Sequence, residues 1–449
     1  MNPNLNRRQF LGRALLSGAI ARTVPSFLAA TCQQLQAFGD PSAIAAPTGH
    51  DVPILVVLQL AGGNDGLNTV VPFANDDYHR ARPKLALERG QVLRLTDEVG
   101  LHPALTGLKS LFDDGHLGVI QSVGYPNPNR SHFRSTDIWM TASASDRVEN
   151  HGWIGRYFDH ACAGADPTVG IAIGRQVPLA FAAGHPFGVS LENPESLHYI
   201  EGELENGPNM KGQNGSEKYY RQFGVGSTET MDVHTTNSGS SIGSVSGSHV
   251  GHLDSPLDFL ERTTADAQSS GDQIRQVAAK GRNQLSYPAS RLATDLKLVA
   301  RLISGGLPTR VYYVSHGGFD THTNQLPTHQ RLLTELGEAT KAFLADLKAM
   351  GQLDRVLLMT FSEFGRRVAE NANGGTDHGA AAPLFVAGGK VKPGVHGSAP
   401  SLAPENLLNG DVRFSTDFRS VYGTVLEKWL KTPSVPILGA VFPQLNFMA

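Results

Sequence analysis

Cysteine is scarce in this chain of 449 residues, which contains only Cys32 and Cys162. Cys32 lies in the N-terminal stretch that we expect to be removed, and a single remaining cysteine cannot form an internal disulfide. We therefore expect an apolar core to stabilise the fold, and about 400 residues are enough to build a large one.

An excess of charge of either sign is also missing. The chain has 38 Lys and Arg residues against 41 Asp and Glu residues, a formal net charge of −3 at pH 7, and its basic residues form no runs or stripes. Nucleic acid is therefore not an expected partner. Beyond the N-terminal region, no apolar run is long enough to span a bilayer.

The N-terminal region has the parts of an export signal. Asn6–Gly12 reads NRRQFLG, and the weakly apolar run ALLSGAIA that follows is too short and too rich in Gly and Ser to span a membrane. This pattern predicts a twin-arginine signal, with the export machinery as a partner and the periplasm or the extracellular space as the destination. We expect cleavage near Ala45 or Ala46, so that residues 1–46 are signal and linker. Lipid attachment at Cys32 is the alternative, although Thr31 before it fits that role poorly.

Short apolar runs alternate with helical patterns along the rest of the chain. The predicted strands are Pro53–Leu60, Leu117–Val123, two within Pro167–Ala183, Arg310–Val314, Arg355–Phe361 and Ala382–Ala387. The predicted helices are His102–Leu111, Trp153–Ala161, Ser255–Gly281, Tyr287–Ser304, Leu332–Met350 and Phe418–Leu430, the last with Trp429 facing inward. This alternation predicts an α/β three-layer sandwich with a mainly parallel central sheet, in one domain over residues 47–449.

One segment interrupts the alternation. Residues 228–252 are dominated by Ser, Gly and Thr and contain few aliphatic side chains, so they cannot pack a core. We interpret residues 224–255 as an inserted loop or lid. His234, His249 and His252 could bind a metal, but we expect them to face solvent.

Polar side chains lie next to three of the predicted strands, after two of them and before the third. Ser315, His316, Asp320 and His322 follow Arg310–Val314, Ser362 and Glu363 follow Arg355–Phe361, and Asp377 and His378 precede Ala382–Ala387. In an open α/β sheet, ligands bind in the crevice outside the carboxyl ends of the strands. Carboxylates and imidazoles that converge there suit a divalent metal ion. Capping and structural hydrogen bonds are the alternative.

Two further turns are candidate parts of the same site. The first strand leads into Gly62–Gly66, which contains Asn64 and Asp65 and whose glycines allow close approach of a bound ion. Ser131 precedes the helical pattern HFRSTDIWMTAS, so its hydroxyl would lie at a helix N-terminus that favours anions. A plain N-cap is an equally good interpretation of Ser131.

Several motifs in this order resemble a known family. LAGGNDGLN, NRSHFRSTDIW, SHGGFDTH, SEFGR and GTDHG, together with the twin arginines, resemble the bacterial exported family named domain of unknown function 1501. That family is in turn similar to the alkaline phosphatase and sulfatase superfamily. The resemblance implies an alkaline phosphatase-like fold and one or two divalent ions, either Zn, Mn, Mg or Ca.

The resemblance also implies roles for individual residues. They are a nucleophile at Ser131, metal ligands at Asp320, His322, Glu363 and His378, and a further ligand at Asn64 or Asp65. Arg366 and Arg367 could hold an anionic oxygen, since guanidinium groups suit phosphate and sulfate, and His132 could serve as general acid. Solvation or a salt bridge is the alternative for the arginine pair. Three positions depart from the superfamily pattern. Gly63 lies near the place of the opening acid, Asp320 and His322 are two residues apart instead of four, and Phe364 replaces a histidine.

The sequence therefore predicts an exported metal-dependent hydrolase of small anionic esters of phosphate or sulfate. A non-catalytic exported binding or assembly protein, with the same fold and a degenerate site, is the alternative.

Overall fold

A computed structural model of the protein describes residues 52–184, 188–193 and 270–449. The predicted signal, the Gly/Ser-rich insert and its three histidines lie outside these residues. In the part that is described, no helix is both long and apolar enough to cross a membrane.

The strands of the described chain are β1 Ile54–Ala61, β2 Val70–Val71, β3 Leu93–Arg94, β4 Gly100–Leu101, β5 Leu117–Gly124, β6 Gly170–Ile173, β7 Val189–Leu191, β8 Val311–Gly317, β9 Val356–Phe361, β10 Ala382–Gly388, β11 Gly394–His396 and β12 Thr416–Asp417. The central sheet has nine strands in the order β11-β5-β10-β9-β1-β8-β6-β7, in which β12 also pairs with β5. A small separate sheet has the order β2-β4-β3.

Helices cover the large sheet. They are α1 Gly66–Thr69, α2 Asp76–Ala81, α3 Thr106–Asp113, α4 His132–Thr141, α5 Trp153–Ala161, α6 Arg291–Ser304, α7 Gln325–Ala349, α8 Phe418–Thr424 and α9 Val435–Leu438. Residues 270–280 are also helical. A π-helical turn, Val425–Trp429, continues α8, and Trp429 is buried and donates its indole N–H to the Ile54 carbonyl.

The side chains of β1 separate the core into two layers. Ile54, Val56, Leu58 and Leu60 pack with residues of α3, α6 and α7. Leu55 and Val57 point to the opposite face and pack with α4, α5, α8 and α9. Because successive side chains of a strand point to opposite faces, this central strand is apolar on both sides. The predicted α/β sandwich with a mainly parallel sheet is confirmed.

One strand runs against the others. β10 is antiparallel to both β5 and β9, whereas the remaining pairs of the large sheet are parallel. The residues that precede β10 therefore lie at the same edge of the sheet as those that follow β1, β8 and β9. This reversal brings the segment of His378 to the edge where Asp320 and Glu363 lie.

Several predicted boundaries are wrong for identifiable reasons. The helix predicted from Leu332 begins at Gln325, because a proline, here Pro327, is tolerated in a first helical turn. The helix predicted from His102 begins at Thr106, because His102 Nδ1 accepts the Ala104 N–H and holds a separate turn.

Other differences affect residues near strand ends or caps. The helix predicted from Tyr287 begins at Arg291, since the Ser290 hydroxyl caps the Ala293 N–H. Leu179–Phe181, predicted as a strand, is a 3-10 turn. The strand predicted to end at Val314 continues to Gly317, so His316 lies within β8; it is buried and contacts the Leu332 carbonyl at 3.2 Å, away from the other strand-end polar groups.

Candidate metal centre

Three segments deliver four side chains to one point at the carboxyl edge of the sheet. His132 comes from the first residue of α4, Asp320 and His322 from the loop after β8, and His378 from the segment before β10. Ligand atoms of His132, Asp320 and His378 all lie within 4.8 Å of one another. We call His132, Asp320, His322 and His378 the central cluster.

The carboxylate of Asp320 is the middle of this cluster. Its Oδ1 lies 3.0 Å from His322 Nε2 and 3.1 Å from His378 Nε2, and its Oδ2 lies 3.5 Å from His132 Nε2. All three imidazoles thus turn the same ring nitrogen towards one carboxylate.

The other ring nitrogen of each histidine faces an acceptor. His322 Nδ1 lies 3.2 Å from Asp377 Oδ1, His132 Nδ1 lies 2.9 Å from Glu363 Oε1, and His378 Nδ1 lies 2.9 Å from the Arg130 carbonyl. When the proton is on Nδ1 and is donated to this acceptor, Nε2 has a lone pair that can bind a metal ion. Histidines that bind metals are almost always oriented in this way by an outer partner.

In this tautomer the Nε2 lone pairs converge on one point. The Nε2 atoms of His322 and His378 are only 2.9 Å apart, and both face the Asp320 carboxylate. Burial lowers the pKa of His378, although Asp320 and the Arg130 carbonyl oppose this shift, so its neutral form is favoured. Three imidazoles and a carboxylate are a donor set that fits a divalent ion.

Asp320 is held in its ionised form. Burial alone would raise its pKa, but the Arg366 guanidinium, which donates to Oδ1, and the neighbouring His378 and His322 outweigh burial and lower the pKa to about 2. A carboxylate that stays charged at neutral pH is suited to bind a cation.

Glu363 lies behind the central cluster. It is buried, its Oε1 accepts the Gly62 N–H at 2.7 Å and faces His132 Nδ1, and its Oε2 has no hydrogen-bond partner among the described residues. His132 Nε2 also lacks a hydrogen-bond partner there. A buried carboxylate oxygen and a buried imidazole nitrogen that are both unsatisfied are consistent with a cation at this place.

Close packing around Gly62 and Gly63 shapes the floor of the centre. Gly62 has a φ of +117°, and a Cβ there would lie 2.5 Å from the Asp320 backbone nitrogen. A Cβ on Gly63 would lie 2.2 Å from the ring of Phe364, which also packs against His132 and His378 with centroid separations of 4.8 and 4.5 Å. Phe364 therefore fills the space beside the cluster.

Arg366 is fully buried, which differs from the predicted anion-binding role. Its guanidinium donates to Asp320 Oδ1 at 2.7 Å and to backbone carbonyls of Gly62, Gly63, Phe319 and Thr376. These contacts direct its N–H groups into the protein. Arg366 thus holds Asp320 and the surrounding loops, and its side chain does not reach solvent.

Asn64 and Asp65 point away from the central cluster into an inner polar network. Asp65 is fully buried and pairs with Arg82 at 2.7 Å, and Asn64 Oδ1 lies 2.9 Å from His329 Nε2. Burial raises the pKa of Asp65. Arg82, together with His329 and Gln325, has a larger opposite effect, so the pKa is lowered. The described positions of both residues differ from the predicted metal-ligand role.

Gln325 connects this inner network to the loops of the centre. Its Nε2 donates to Asp65 Oδ2, and its Oε1 accepts the hydroxyls of Thr321 at 3.1 Å and Thr376 at 2.7 Å. Thr321 follows Asp320, and Thr376 is two residues before His378. One buried amide therefore joins the two loops that carry these ligands.

Ser131 is exposed at the N-cap position of α4, and its hydroxyl does not cap the helix. Its backbone N–H donates to Asn129 Oδ1 at 2.8 Å. The helix is fixed from below, because the Tyr125 and Ser135 hydroxyls lie 2.8 Å apart and Ser135 donates to the Glu363 carbonyl. Ser131 is adjacent in sequence to His132, at the rim of the centre.

Asp377 was singled out in the sequence beside His378, and in the structure it supports the neighbouring His322. Gln325 was missed, although it lies only three residues after the end of the SHGGFDTH motif. Arg130, whose carbonyl orients His378, has no sequence signal, because backbone contacts do not depend on side-chain type.

Comparison with known proteins supports the resemblance drawn from the motifs. Residues 259–426 match the family described as "Protein of unknown function (DUF1501)". This match confirms the predicted family resemblance over that part of the chain. No curated protein matches the sequence.

Similar solved structures include members of the predicted superfamily. The PsFucS1 sulfatase from Pseudoalteromonas sp. has 12% identity and a TM-score of 0.32, with 84% of this chain and 70% of that chain covered. A protein in the alkaline phosphatase superfamily from Vibrio parahaemolyticus has 11% identity, a TM-score of 0.30, and coverage of 83% and 70%. The C-terminal periplasmic domain of EcEptC from Escherichia coli, in complex with Zn, has 10% identity, a TM-score of 0.31, and coverage of 76% and 74%. The sequence identity and the TM-score are low in all three comparisons.

Proposed function

We propose that the chain is an exported metal-dependent hydrolase of phosphate or sulfate esters. The observation that carries the proposal is the common orientation of three histidines, each with Nδ1 on an acceptor and Nε2 towards Asp320. This arrangement supports a cation held by His132, Asp320, His322 and His378. The predominance of imidazole favours Zn²⁺ over Mg²⁺ and Ca²⁺.

When bound, a divalent ion would lower the pKa of a hydroxyl or water and stabilise negative charge on the ester. The chain supplies the remaining parts. Glu363 and Asp377 keep the Nδ1 protons of His132 and His322 in place, and Arg366 keeps Asp320 ionised. His132 acts as a ligand in this proposal, since its Nε2 faces Asp320.

Ser131 is the proposed nucleophile. Its exposed hydroxyl precedes a helix of ten residues, and the N–H groups of the first turn favour an anionic ester. Attack of the Ser131 oxygen on phosphorus or sulfur would expel the alcohol of the ester, and water would then release the phosphate or sulfate from the serine.

We propose one ion in place of two. The Phe364 ring packs against His132, His378 and Gly63. Phe364 and Gly63 are themselves the positions where the superfamily pattern has a histidine and an acid, so two of the expected ligands are missing. Asn64 and Asp65 are engaged with His329 and Arg82.

A non-catalytic binding or assembly protein is the second candidate. It is favoured by the burial of Arg366, whose donors are directed to Asp320 and to backbone carbonyls. Such a protein would bind the ion and leave esters intact.

One experiment separates the two candidates. The exported form is purified, its metal content is measured by mass spectrometry, and turnover of aryl phosphates and aryl sulfates is assayed for the parent chain, Ser131→Ala and Asp320→Ala. Hydrolysis predicts stoichiometric metal in the parent and loss of turnover in both variants, with metal lost only in Asp320→Ala. Ser398→Ala and Asp97→Asn, at exposed positions, are matched controls. Stoichiometric metal without turnover of any ester would overturn the hydrolase in favour of the second candidate.

A further inference from the structure

An open cavity of about 490 Å³ is lined by residues 127–130 and by Leu408, Asn409 and Asp411. The backbone carbonyl of Arg130, one of these residues, contacts His378 Nδ1 at 2.9 Å. Arg130 therefore belongs both to the cavity and to the surroundings of the central cluster.

The guanidinium of Arg130 is fixed in the wall of the cavity. Its Nε and Nη2 both donate to Asp411 Oδ2, the first at 2.9 Å, and the Asp411 side chain is only 1% exposed. The Arg130 side chain remains 40% exposed. Among the described residues its Nη1 donates no hydrogen bond, so this edge of the guanidinium is available for a ligand.

Positive charge exceeds negative charge at this wall. Arg367 shares Asp411 with Arg130, with its Nε 3.5 Å from Asp411 Oδ1. Two guanidinium groups thus face one buried carboxylate. The nearby Asp377 carboxylate is hydrogen-bonded to His322 and Asn371, on the side of the central cluster.

The loop that carries Arg130 is held in shape before any ligand arrives. The Tyr125 hydroxyl accepts the Asn129 N–H at 3.1 Å, and Asn129 Oδ1 accepts the Ser131 N–H. A preorganised loop loses little conformational freedom on binding, and more of the contact energy is then available for affinity.

The free edge of a guanidinium suits a carboxylate, phosphate or sulfate group. Arg366, the arginine expected to bind an anion, is buried and engaged with Asp320. Arg130 is adjacent in sequence to Ser131 and lines the cavity.

We propose that this cavity binds a second oxyanion, carried by the substrate in addition to the reacting ester, and that Arg130 is the residue that contacts it. The inference rests on the proposed ester hydrolysis and specifies its substrate class as doubly anionic esters.

The test compares two matched pairs of probes on the metal-loaded full chain. Phenyl phosphate and 4-carboxyphenyl phosphate are compared as substrates, and the corresponding phosphonates, which cannot be hydrolysed, are compared by calorimetry. We expect the carboxylated member of each pair to have a KM or Kd about 10-fold lower. The variants are Arg130→Gln, Arg130→Lys and, as a control of equal charge change on the neighbouring segment, Arg413→Gln.

The ratio between paired probes distinguishes binding from a structural role. Arg130→Gln should bring the ratio close to one, Arg130→Lys should retain part of it, and Arg413→Gln should keep it. If Arg130→Gln only destabilised the protein, the values for both members of a pair would change equally and their ratio would stay the same. An unchanged ratio would refute the assignment.

The outcomes also separate this inference from the proposed function. Preferential binding of the carboxylated phosphonate that depends on Arg130, without turnover, would retain the subsite and reject the hydrolase. Turnover of both phosphates with equal KM values would retain the hydrolase and reject the subsite.

Discussion

His322 and His378 present their Nε2 atoms to each other at 2.9 Å, while Asp377 and the Arg130 carbonyl hold the opposite sides of the two rings. When both rings carry their proton on Nδ1, two Nε2 lone pairs at this separation repel one another, and a cation near both removes the repulsion. The contact is therefore the point in the molecule where a cation should have its largest effect on affinity and stability.

Asp377→Asn tests the outer support of His322. The change removes the charged acceptor of His322 Nδ1 and leaves the side-chain size nearly unchanged, so we expect metal affinity to fall by about 10- to 100-fold. Asp320→Asn, which changes the central carboxylate, should cost more. Competition with a chromophoric chelator measures both, with Asp97→Asn as the control. Equal affinity for Asp377→Asn and the parent chain would show that His322 needs no such support.

Gln325→Leu tests the amide that joins the two ligand loops. The substitution leaves the Thr321 and Thr376 hydroxyls and Asp65 Oδ2 without this partner inside the protein. Each buried polar group left unsatisfied costs about 1–3 kcal/mol, so both stability and metal affinity should decrease. Urea unfolding and metal titration measure the two effects. Gln330→Leu, at an exposed position of the same helix, should change neither. A loss of stability with unchanged metal affinity would limit Gln325 to a structural role.

The inner network should make the metal-free protein sensitive to acid. Burial lowers the pKa of His329 to about 3 and that of His102 to about 4, although Asp65 opposes both shifts. At His329, repulsion from the His102 ring, Arg82 and Arg366 lowers the pKa further. Unfolded histidines bind protons below their ordinary pKa of 6.5, while these two stay neutral in the fold. The contribution of these two histidines to the free energy of unfolding is therefore fully present above about pH 6.5, and it is lost as the pH decreases towards 4.

The matched comparison for this effect is His329→Gln against His160→Gln. Urea unfolding between pH 7.5 and 4.5, with chelator present, should show a shallower decrease for His329→Gln than for the parent, because one buried neutral histidine is gone. His160 is exposed, and its variant should follow the parent curve. Parallel curves for all three chains would contradict the assignment to His329.

Replacement of both N-terminal arginines, Arg7→Lys with Arg8→Lys, tests the export signal. Twin-arginine transport is read from this pair, so the doubly substituted chain should remain inside the cell, while Arg13→Lys should be exported like the parent. Fractionation of a bacterial host followed by immunoblotting measures the distribution. Export of the double variant through the same route would refute the prediction.

Much of the fold could be predicted because its signals are local. β1 and β9 are short and almost entirely apolar runs, which is typical of strands that are buried on both faces. The Trp153–Ala161 helix was predicted with its observed bounds. The start of α7 was missed, since Pro327 reads as a helix breaker unless the first turn is known.

The candidate metal centre could likewise be predicted only in part. Asp320, His322 and His378 were singled out because they cluster near strand ends, and the sheet brings these ends together. The direction of an individual side chain depends on partners far along the chain. Arg82 draws Asp65 inward from 17 residues away. Four backbone carbonyls from three segments accept hydrogen bonds from Arg366. Neither contact has a local signature in the sequence.

The Gly62 N–H reaches the Glu363 carboxylate across 301 positions of sequence, and His132 reaches the same carboxylate across 231. Contacts of such long range form late in folding, since the intervening chain must first be ordered. The ion would consequently be selected after the sheet is complete, from whatever cations surround the protein at that moment. If the chain crosses the membrane already folded, as a twin-arginine substrate does, the cytoplasmic supply decides which ion it carries.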